Sequence, residues 1–270
     1  MKTGVVYPQI ELGGDAGAVK AFAQAAEDLG YDHIVIYDHV LGAVHAGREP
    51  KLTGPYSETD PFHEPLVTYA YLAGVTKKLE LVTGVIILPQ RQTALFAKQA
   101  ADVDLFSDGR LRLGVGVGWN WVEYDGLEMS PHFRRRGRRQ EHQIALLRKL
   151  WGEPVVEHED SDHKIDRAGI LPRPKRQIPI WLGGFSEAAY DRAARIGSSS
   201  PKRQHIIIAA TRSQITQSDD DREPQTEQTI VGLQARKGAP SRQGCAGHNH
   251  LAKRRERLLL LQRINSEKPA

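Results

Sequence analysis

The stretch of sequence that decides the fold covers residues 60–127 and reads DPFHEPLVTYAYLAGVTKKLELVTGVIILPQRQTALFAKQAADVDLFSDGRLRLGVGVGWNWVEYDGL. Asp60-Pro61 is typical of a helix cap with proline at the first helical position, and it predicts a helix from there to about Lys78. The apolar run 79–88 follows and predicts a buried strand. The same change recurs, from a helical pattern over 92–106 to a second apolar run over 110–117. This alternation is typical of parallel βα units.

The alternation continues on both sides of this stretch. We predict strands at 4–7, 33–37 and 178–184, helices at 15–29, 134–150 and 186–196, and a small hairpin over 155–165. Five βα units in sequence fit either a TIM barrel or a doubly wound sheet. The long insertions after the second and fourth strands favour the barrel, because loops at the carboxyl ends of barrel strands lengthen without harming the core.

The pattern stops at Gly197. Residues 198–270 contain no Phe, Trp or Tyr and carry 13 Lys and Arg against 7 Asp and Glu, whereas residues 1–197 carry 24 against 26. Such a segment buries too little apolar surface to offset chain entropy. We therefore predict a barrel portion over 1–197 and a largely disordered basic tail over 198–270, with a candidate strand at 205–208 and a candidate amphipathic helix at 251–263. A reading-frame shift near codon 197 is one explanation for the change.

Composition excludes several classes of protein. No run approaches the roughly 18 apolar residues of a membrane helix, and the N-terminus lacks the apolar core of a signal peptide. The one cysteine, Cys245, has no partner for an internal disulfide. We therefore expect a cytoplasmic protein that acts on a small-molecule substrate, with a homodimer left open. The basic tail lacks a recognised nucleic-acid motif, so that nucleic-acid binding is not expected.

Asp38 and His39 follow the second predicted strand, where a barrel places its catalytic residues. A histidine there can donate or accept a proton near neutral pH, and an adjacent carboxylate can orient it. The alternative, a histidine that only caps a strand-to-loop turn, fits the position equally well.

Glycines mark the ends of the later strands. The glycine in 83–85 indicates a bulge, the close approach of a ligand, or simple packing. The alternating glycines of 114–118 lack the spacing of a dinucleotide loop, but they can leave a flat surface for a planar ring, beside which Trp119 and Asn120 offer stacking and amide hydrogen bonds. The glycines 183–184 precede a helix whose N-terminus suits a phosphate, although a tight βα turn explains them equally.

Two charged segments carry weaker signals. Residues 158–163 (HEDSDH) supply metal-binding side chains, but without strict ligand spacing, and we predict a solvated turn and no metal. The basic run 134–139 fits either phosphate binding or a solvated helix start, with solvation favoured.

Several of these segments together resemble the luciferase-like monooxygenase family. They are AEDLGYDHIVIYDHV (26–40), residues 60–127, RRRGRRQEHQIALLRKLW (134–151) and IPIWLGG (178–184), and the resemblance covers about residues 1–197. The coenzyme F420-dependent oxidoreductases are the most similar subgroup. The resemblance implies a TIM-barrel-type (β/α) luciferase-like fold that is incomplete, with about five of eight βα units recognisable. The missing strands would leave open sheet edges.

The resemblance also implies an active site in the barrel mouth. Coenzyme F420, a deazaflavin, or alternatively FMN would lie against a non-prolyl cis peptide between Gly84 and Val85, with His39, next to Asp38, as proton donor or acceptor. The ring would be lined by Val117, Gly118, Trp119 and Asn120, and the phosphate would lie near Gly183 and Gly184. The implied activity is hydride transfer to or from a small organic substrate. An FMN-dependent monooxygenase and a truncated, non-catalytic remnant are the alternatives.

Overall fold

The computed structural model describes residues 2–184, 186–197, 206–208 and 231–233. Its strands are β1 (Gly4–Val6), β2 (His33–Ile36), β3 (Glu80–Thr83), β4 (Ile86–Ile87), β5 (Leu111–Gly116), β6 (Val156–Glu159), β7 (Lys164–Ala168), β8 (Ile180–Gly183), β9 (Ile206–Ile208) and β10 (Val231–Leu233). Its α-helices are α1 (Gln9–Leu12), α2 (Ala16–Asp28), α3 (Pro65–Val75), α4 (Thr93–Phe106), α5 (Trp121–Gly126), α6 (Ser130–Phe133), α7 (Arg136–Gly152) and α8 (Glu187–Gly197).

The main sheet follows the order of the chain. Strands β1, β2, β3, β5, β8 and β9 are neighbours in that order and pair in parallel, while β4 continues β3 alongside β5. A doubly wound sheet would reverse its strand order at a switch point. The unbroken order therefore confirms the α/β prediction and identifies the sheet as part of a TIM-type barrel.

The sheet extends one parallel strand beyond the five predicted units. In the register of β8 and β9, Leu182 lies opposite Ile206 and Gly183 opposite Ile207. The candidate strand at 205–208 is thus confirmed over residues 206–208, and β10 pairs antiparallel with it. The candidate helix at 251–263 and the predicted disorder of the tail lie outside the described residues.

The core lies between the outer face of the sheet and the helices. Ile34, Ile36 and Leu81 from the strands belong to one buried cluster with residues of the helices α2, α3, α4 and α7. Tyr69 of α3 ties this layer together, since its hydroxyl accepts from the Ile36 amide (3.1 Å) and lies within hydrogen-bonding distance of the Val82 carbonyl oxygen. The sheet is therefore anchored from outside, and its carboxyl ends are left to build a site.

One predicted helix start is wrong. The motif Asp60-Pro61 was expected to open the second predicted helix, but the helix there, α3, begins at Pro65, and the Glu64 side chain caps it by accepting from the Val67 amide (2.7 Å). Asp60 instead accepts from the Ser57 amide (2.7 Å) and closes a turn in the preceding loop. Asp60-Pro61 and Glu64-Pro65 both offer proline for the first helical position. The helix begins at the second of these pairs, in which Glu64 also forms an ion pair with Arg91.

The predicted hairpin is formed by β6 and β7, which pair antiparallel after α7.

None of the helices in the part of the chain that the structure describes combines the length and the apolarity needed to cross a bilayer.

Candidate active site

The sequence-predicted site residues all lie at one end of the barrel. Parallel strands bring their carboxyl ends to the same face, and we call the residues at these ends the mouth. The predicted residues there are Asp38 and His39 after β2, Gly84 and Val85 between β3 and β4, Val117, Gly118, Trp119 and Asn120 after β5, and Gly183 and Gly184 at the end of β8. The structure therefore brings the set together.

The peptide between Gly84 and Val85 is cis, as the resemblance implied. Both residues are half-buried. A β-carbon on Gly116 would lie 2.5 Å from Val85 Cγ2, and one on Gly183 would lie 2.7 Å from Val85 Cγ1. The two glycines thus seat the Val85 side chain between β5 and β8. The expectation that the alternating glycines present the flat surface needs correction, because the Val85 side chain covers Gly116.

Asp38 does not orient His39. Its buried carboxylate accepts from the Arg91 guanidinium (2.6 Å) and from the Ile87 amide (2.8 Å). Burial raises the pKa of the Asp38 carboxyl, and the charge of Arg91 opposes that effect. Arg91 also binds Glu64 (2.8 Å), so that Asp38 connects β2 to the segment before α4. The expected role of Asp38 as the partner of the histidine is therefore corrected.

Glu123 of α5 takes the place that was expected for Asp38. Its carboxylate is 1% exposed and lies 3.6 Å from His39 Nδ1. It also accepts hydrogen bonds from the Val40 and Leu41 amides and from Gln90. Burial raises the pKa of the Glu123 carboxyl, but these donors and the neighbouring His39 ring outweigh burial and bring its pKa below the ordinary value. A buried, ionised carboxylate therefore faces the imidazole.

Sequence reasoning missed Glu123. The available signal was the pattern Asn120-x-x-Glu123, which resembles a capping box at a helix start. Asn120 does cap α5, since its side-chain oxygen accepts from the Glu123 amide (3.3 Å). The Glu123 side chain, however, extends to the end of β2, and a local motif does not reveal that long-range contact.

Aromatic rings enclose His39, whose side chain is 10% exposed. The ring centroids of Phe62, Tyr56 and Trp119 lie 4.9, 5.1 and 5.8 Å from the His39 centroid, each in an edge-on arrangement. Such edge-to-face contacts hold a ring in a fixed plane. The imidazole is thus positioned at the mouth in largely apolar surroundings.

The loop after β2 reaches Trp119 from the other side. A β-carbon on Gly54 would lie 2.1 Å from Trp119 Cη2, so that the indole rests directly on the Gly54 backbone. Gly118, the preceding residue, has a φ of 69°, a conformation that favours glycine. Trp119 is therefore fixed between the loop and the turn after β5.

The remaining predicted contacts have mixed outcomes. The Val117 carbonyl accepts from the Tyr124 hydroxyl (2.7 Å) and is therefore bonded within the protein.

Gly183 and Gly184 lead from β8 toward α8, and Ser186 Oγ accepts from the Ala189 amide (3.3 Å) in the first turn of that helix. The role of Gly183 and Gly184 at a phosphate stays a prediction.

The arginines at 134–139 divide into two groups. Arg136 donates to the Gly118 carbonyl (3.3 Å), and the buried Arg139 donates to the Pro89 carbonyl (3.1 Å). These two tie the start of α7 to the mouth. The exposed members are Arg134, Arg135 and Arg138.

The hairpin tip at 158–163 is not the solvated turn that we predicted. Asp160 binds His158 (2.8 Å) and His163 (3.0 Å), and Asp162 binds His142 of α7 (2.8 Å). The Asp162 side chain is 1% exposed. The tip is docked on α7 because complementary charges on the helix, which lie far away in sequence, pair with its carboxylates.

This cluster has the residue types of a metal site, and the ligand atoms of His158, Asp160 and His163 lie within 4.8 Å of one another. Arg135 and Arg139, however, approach the Asp162 carboxylate to 3.2 and 3.6 Å. Because cationic side chains already neutralise this end of the cluster, we interpret it as a clamp that fixes the hairpin.

A planar cofactor ring needs a flat face and donors for its carbonyl groups. The half-buried cis segment Gly84–Val85, at the carboxyl end of β3, is the candidate for that face. Gln9, after β1, is buried; its oxygen accepts from the Tyr37 amide (2.9 Å), and its Nε2 has no hydrogen-bond partner among the described residues. A buried donor without a partner among the described residues, at the same end of the barrel as the cis peptide, fits a flavin or a deazaflavin.

Comparison with known proteins gives a consistent match. The model of the luciferase-like monooxygenase family matches residues 3–199. An uncharacterized protein of Mycobacterium tuberculosis is 33% identical over 196 residues, which cover 69% of this chain and 67% of the relative. An F420-dependent glucose-6-phosphate dehydrogenase of Amycolatopsis mediterranei is 28% identical over 65% of this chain and 50% of its own length.

A further relative has a different cofactor in its name, and a solved structure shares the fold. An FMNH2-dependent dimethylsulfone monooxygenase of Pseudomonas fluorescens is 27% identical over 72% of this chain and 50% of its own length. A monooxygenase structure from Streptomyces bottropensis superimposes with a TM-score of 0.59 at 24% identity, covering 73% of this chain and 58% of that one. The chain thus spans two thirds of the mycobacterial relative and about half of the others.

Proposed function

The chain belongs to the luciferase-like monooxygenase family, and on that premise we propose that it is the mouth-bearing portion of an F420-dependent oxidoreductase acting on a small organic substrate. The family contains enzymes named for F420 and enzymes named for FMNH2. Because the chain spans about half the length of these relatives, the activity of a whole enzyme is part of the proposal.

The observation that carries the proposal is the placement of His39. The imidazole lies at the mouth, between the Glu123 carboxylate (3.6 Å) and the edges of three aromatic rings, on the same face as the cis peptide Gly84–Val85. A histidine in a fixed orientation is a suitable proton donor or acceptor near neutral pH. Hydride transfer to a carbonyl, or from an alcohol, needs such a group.

We assign the binding roles as follows. The face of Gly84–Val85 would support the ring, and the unpaired Gln9 amide would donate to an acceptor on it. The backbone of Gly183 and Gly184 and the start of α8 would hold a phosphate, since helix N-termini favour anions.

When bound, the deazaflavin would supply the hydride chemistry, and the protein would provide binding, orientation and electrostatics. In this scheme His39 gives a proton to the substrate or removes one at an imidazole nitrogen. Phe62 and Trp119 exclude water from the imidazole, which strengthens its electrostatic interactions.

The test is a binding titration of the purified full chain with oxidised and reduced F420 and with FMN, followed by the fluorescence and absorbance of the ligand. We expect saturable binding of F420 that is weakened at least tenfold in His39→Ala. The matched control is His132→Ala, which removes a histidine at the hairpin clamp, away from the mouth. Circular dichroism establishes that both variants are folded.

The other outcomes are informative. Saturable binding of FMN but not of F420 would favour the FMN-dependent monooxygenase, the second candidate. Binding of neither ligand by the folded chain contradicts the proposal and supports a non-catalytic remnant.

A further inference from the structure

The Glu123 carboxylate, on α5, is held by donors from two other segments. Oε1 accepts from the Val40 amide (2.5 Å) and the Leu41 amide (3.1 Å), directly after His39. Oε2 accepts from Gln90 Nε2 (3.1 Å) and lies 3.6 Å from His39 Nδ1. The end of β2, the segment after β4 and the helix α5 therefore meet at this carboxylate.

Glu123 is the charged side chain that faces His39, and the other neighbours of the ring are aromatic. Phe62 and Trp119 present ring edges, and Tyr56 adds an aromatic edge from the loop. Asp38, the adjacent carboxylate, is committed to Arg91 and the Ile87 amide. Among the described residues, no carboxylate other than Glu123 forms an ion pair with the His39 ring.

We propose that Glu123 is a positioning residue that holds His39 in the Nδ1–H tautomer, so that Nε2 is the nitrogen left to exchange a proton. A carboxylate accepts hydrogen bonds and cannot donate one when ionised, so that Nδ1 must carry hydrogen to interact favourably with it. At 3.6 Å the contact is longer than a tight hydrogen bond, and such contacts often shorten when a ligand closes a site.

Calling Nε2 the reactive nitrogen rests on the proposed function, whereas the tautomer itself does not. A measurement of the tautomer in the absence of any cofactor therefore separates the two ideas. Failure to bind F420 would remove the proposed function and leave the positioning role in place.

The variant Glu123→Gln provides a sharp test. Its amide oxygen can keep the bonds from the Val40 and Leu41 amides, which places the new NH2 group toward His39 and toward Gln90, whose own amide must turn to present its oxygen. That NH2 donates to an unprotonated Nδ1. In the variant a donor therefore faces Nδ1 where the native protein has an acceptor, and this favours the Nε2–H tautomer.

The experiment uses the full chain labelled with 15N histidine, and long-range 1H–15N correlations of the His39 ring are recorded at pH 8. Loss of signals in His39→Gln assigns the ring. We expect the pattern of Nδ1–H in the native protein and a change to mainly Nε2–H in Glu123→Gln. The control Glu64→Gln, which alters a carboxylate bound to Arg91 instead of one facing His39, leaves the His39 pattern unchanged.

Two results would overturn the proposal. One is an Nε2–H pattern in the native protein, a result that needs no variant and stands even if Glu123→Gln does not fold. The other is a folded Glu123→Gln protein that retains Nδ1–H, because some group other than Glu123 would then fix the tautomer.

Discussion

The Asp38 carboxylate lies 2.6 Å from the Arg91 guanidinium, so that the acidic residue next to His39 is part of a buried ion pair with another side chain. The two side chains are 1% and 14% exposed, respectively. Asp38 also accepts from the Ile87 amide, which holds the segment after the cis peptide against the end of β2. Asp38 therefore acts as a structural link between neighbouring strands.

This link predicts a large stability effect for Asp38→Asn. Removal of one charge leaves Arg91 buried with only the partly exposed Glu64 as its anion, and breaking a buried ion pair costs about 3 kcal/mol. The free energy of unfolding, measured in urea, should be lower in the variant by about that amount. In the control Asp166→Asn, which removes half of an ion pair whose side chains are 70% and 77% exposed, no measurable change is expected. Equal stabilities of the two variants would contradict the structural role.

The contrast between Asp38 and Glu123 shows what the sequence alone can establish about this site. The succession of strands and helices and the placement of His39 after the second strand follow from local periodicity, which is why both could be predicted. The partner of His39 could not, because Glu123 lies 84 residues from it along the chain and no local pattern joins the two residues. Asp38, although adjacent to His39 in sequence, is bound to Arg91 and the Ile87 amide.

The seat of Val85 gives a second prediction. A β-carbon on Gly116 would lie 2.5 Å from Val85 Cγ2, and steric overlap of this kind costs about 1–3 kcal/mol. Gly116→Ala should therefore destabilise the protein and weaken cofactor binding by displacing Val85.

The matched control is Gly74→Ala, a position in α3 where a β-carbon meets no atom within 4 Å. Alanine is the better helix former, and we expect a gain of about 0.5–1 kcal/mol. Thermal unfolding of both variants measures the difference. If Gly116→Ala is as stable as the native protein, Val85 does not require this seat.

The contact between Gly54 and Trp119 predicts an effect on the mouth with little change in stability. Gly54 is exposed, and its β-carbon would lie 2.1 Å from Trp119 Cη2, so that Gly54→Ala must displace the indole that packs against His39. We expect altered tryptophan fluorescence and weaker F420 binding at an unchanged melting temperature. The control Gly14→Ala adds a methyl group where nothing lies within 4 Å, and both signals should then stay native.

The hairpin clamp shows why composition misled the prediction of a solvated turn. Residues 158–163 are polar, and a polar segment is normally exposed. His142 and Arg139, on one side of α7, supply the partners that allow Asp162 to be buried. Only the packing of the hairpin on the helix brings these charges together.

The clamp makes stability depend on pH through Asp160. Burial raises the pKa of its carboxyl, but hydrogen bonds from the Asp162 amide, His158 and His163 outweigh burial and hold that pKa far below its ordinary value. The unfolded chain therefore takes up a proton, near the ordinary value of about 3.9, before the folded protein does. The stabilisation is complete above about pH 5 and is lost as the pH falls through the unfolded and then the folded pKa.

Asp160→Asn should isolate this contribution, because it keeps the shape of the side chain and removes the charge. Hydrogen bonds to a charged group are worth about 1.5–3 kcal/mol, so that the variant should be less stable by roughly that amount at pH 7. The free energies of unfolding of the variant and the native protein, measured in urea, should differ by a similar amount at pH 7 and 5 and by less at pH 4 and 3.5. The histidines that face Asp160, namely His142, His158 and His163, are present in both proteins. A difference that stays constant from pH 7 to 3.5 would show that the Asp160 charge does not stabilise the clamp.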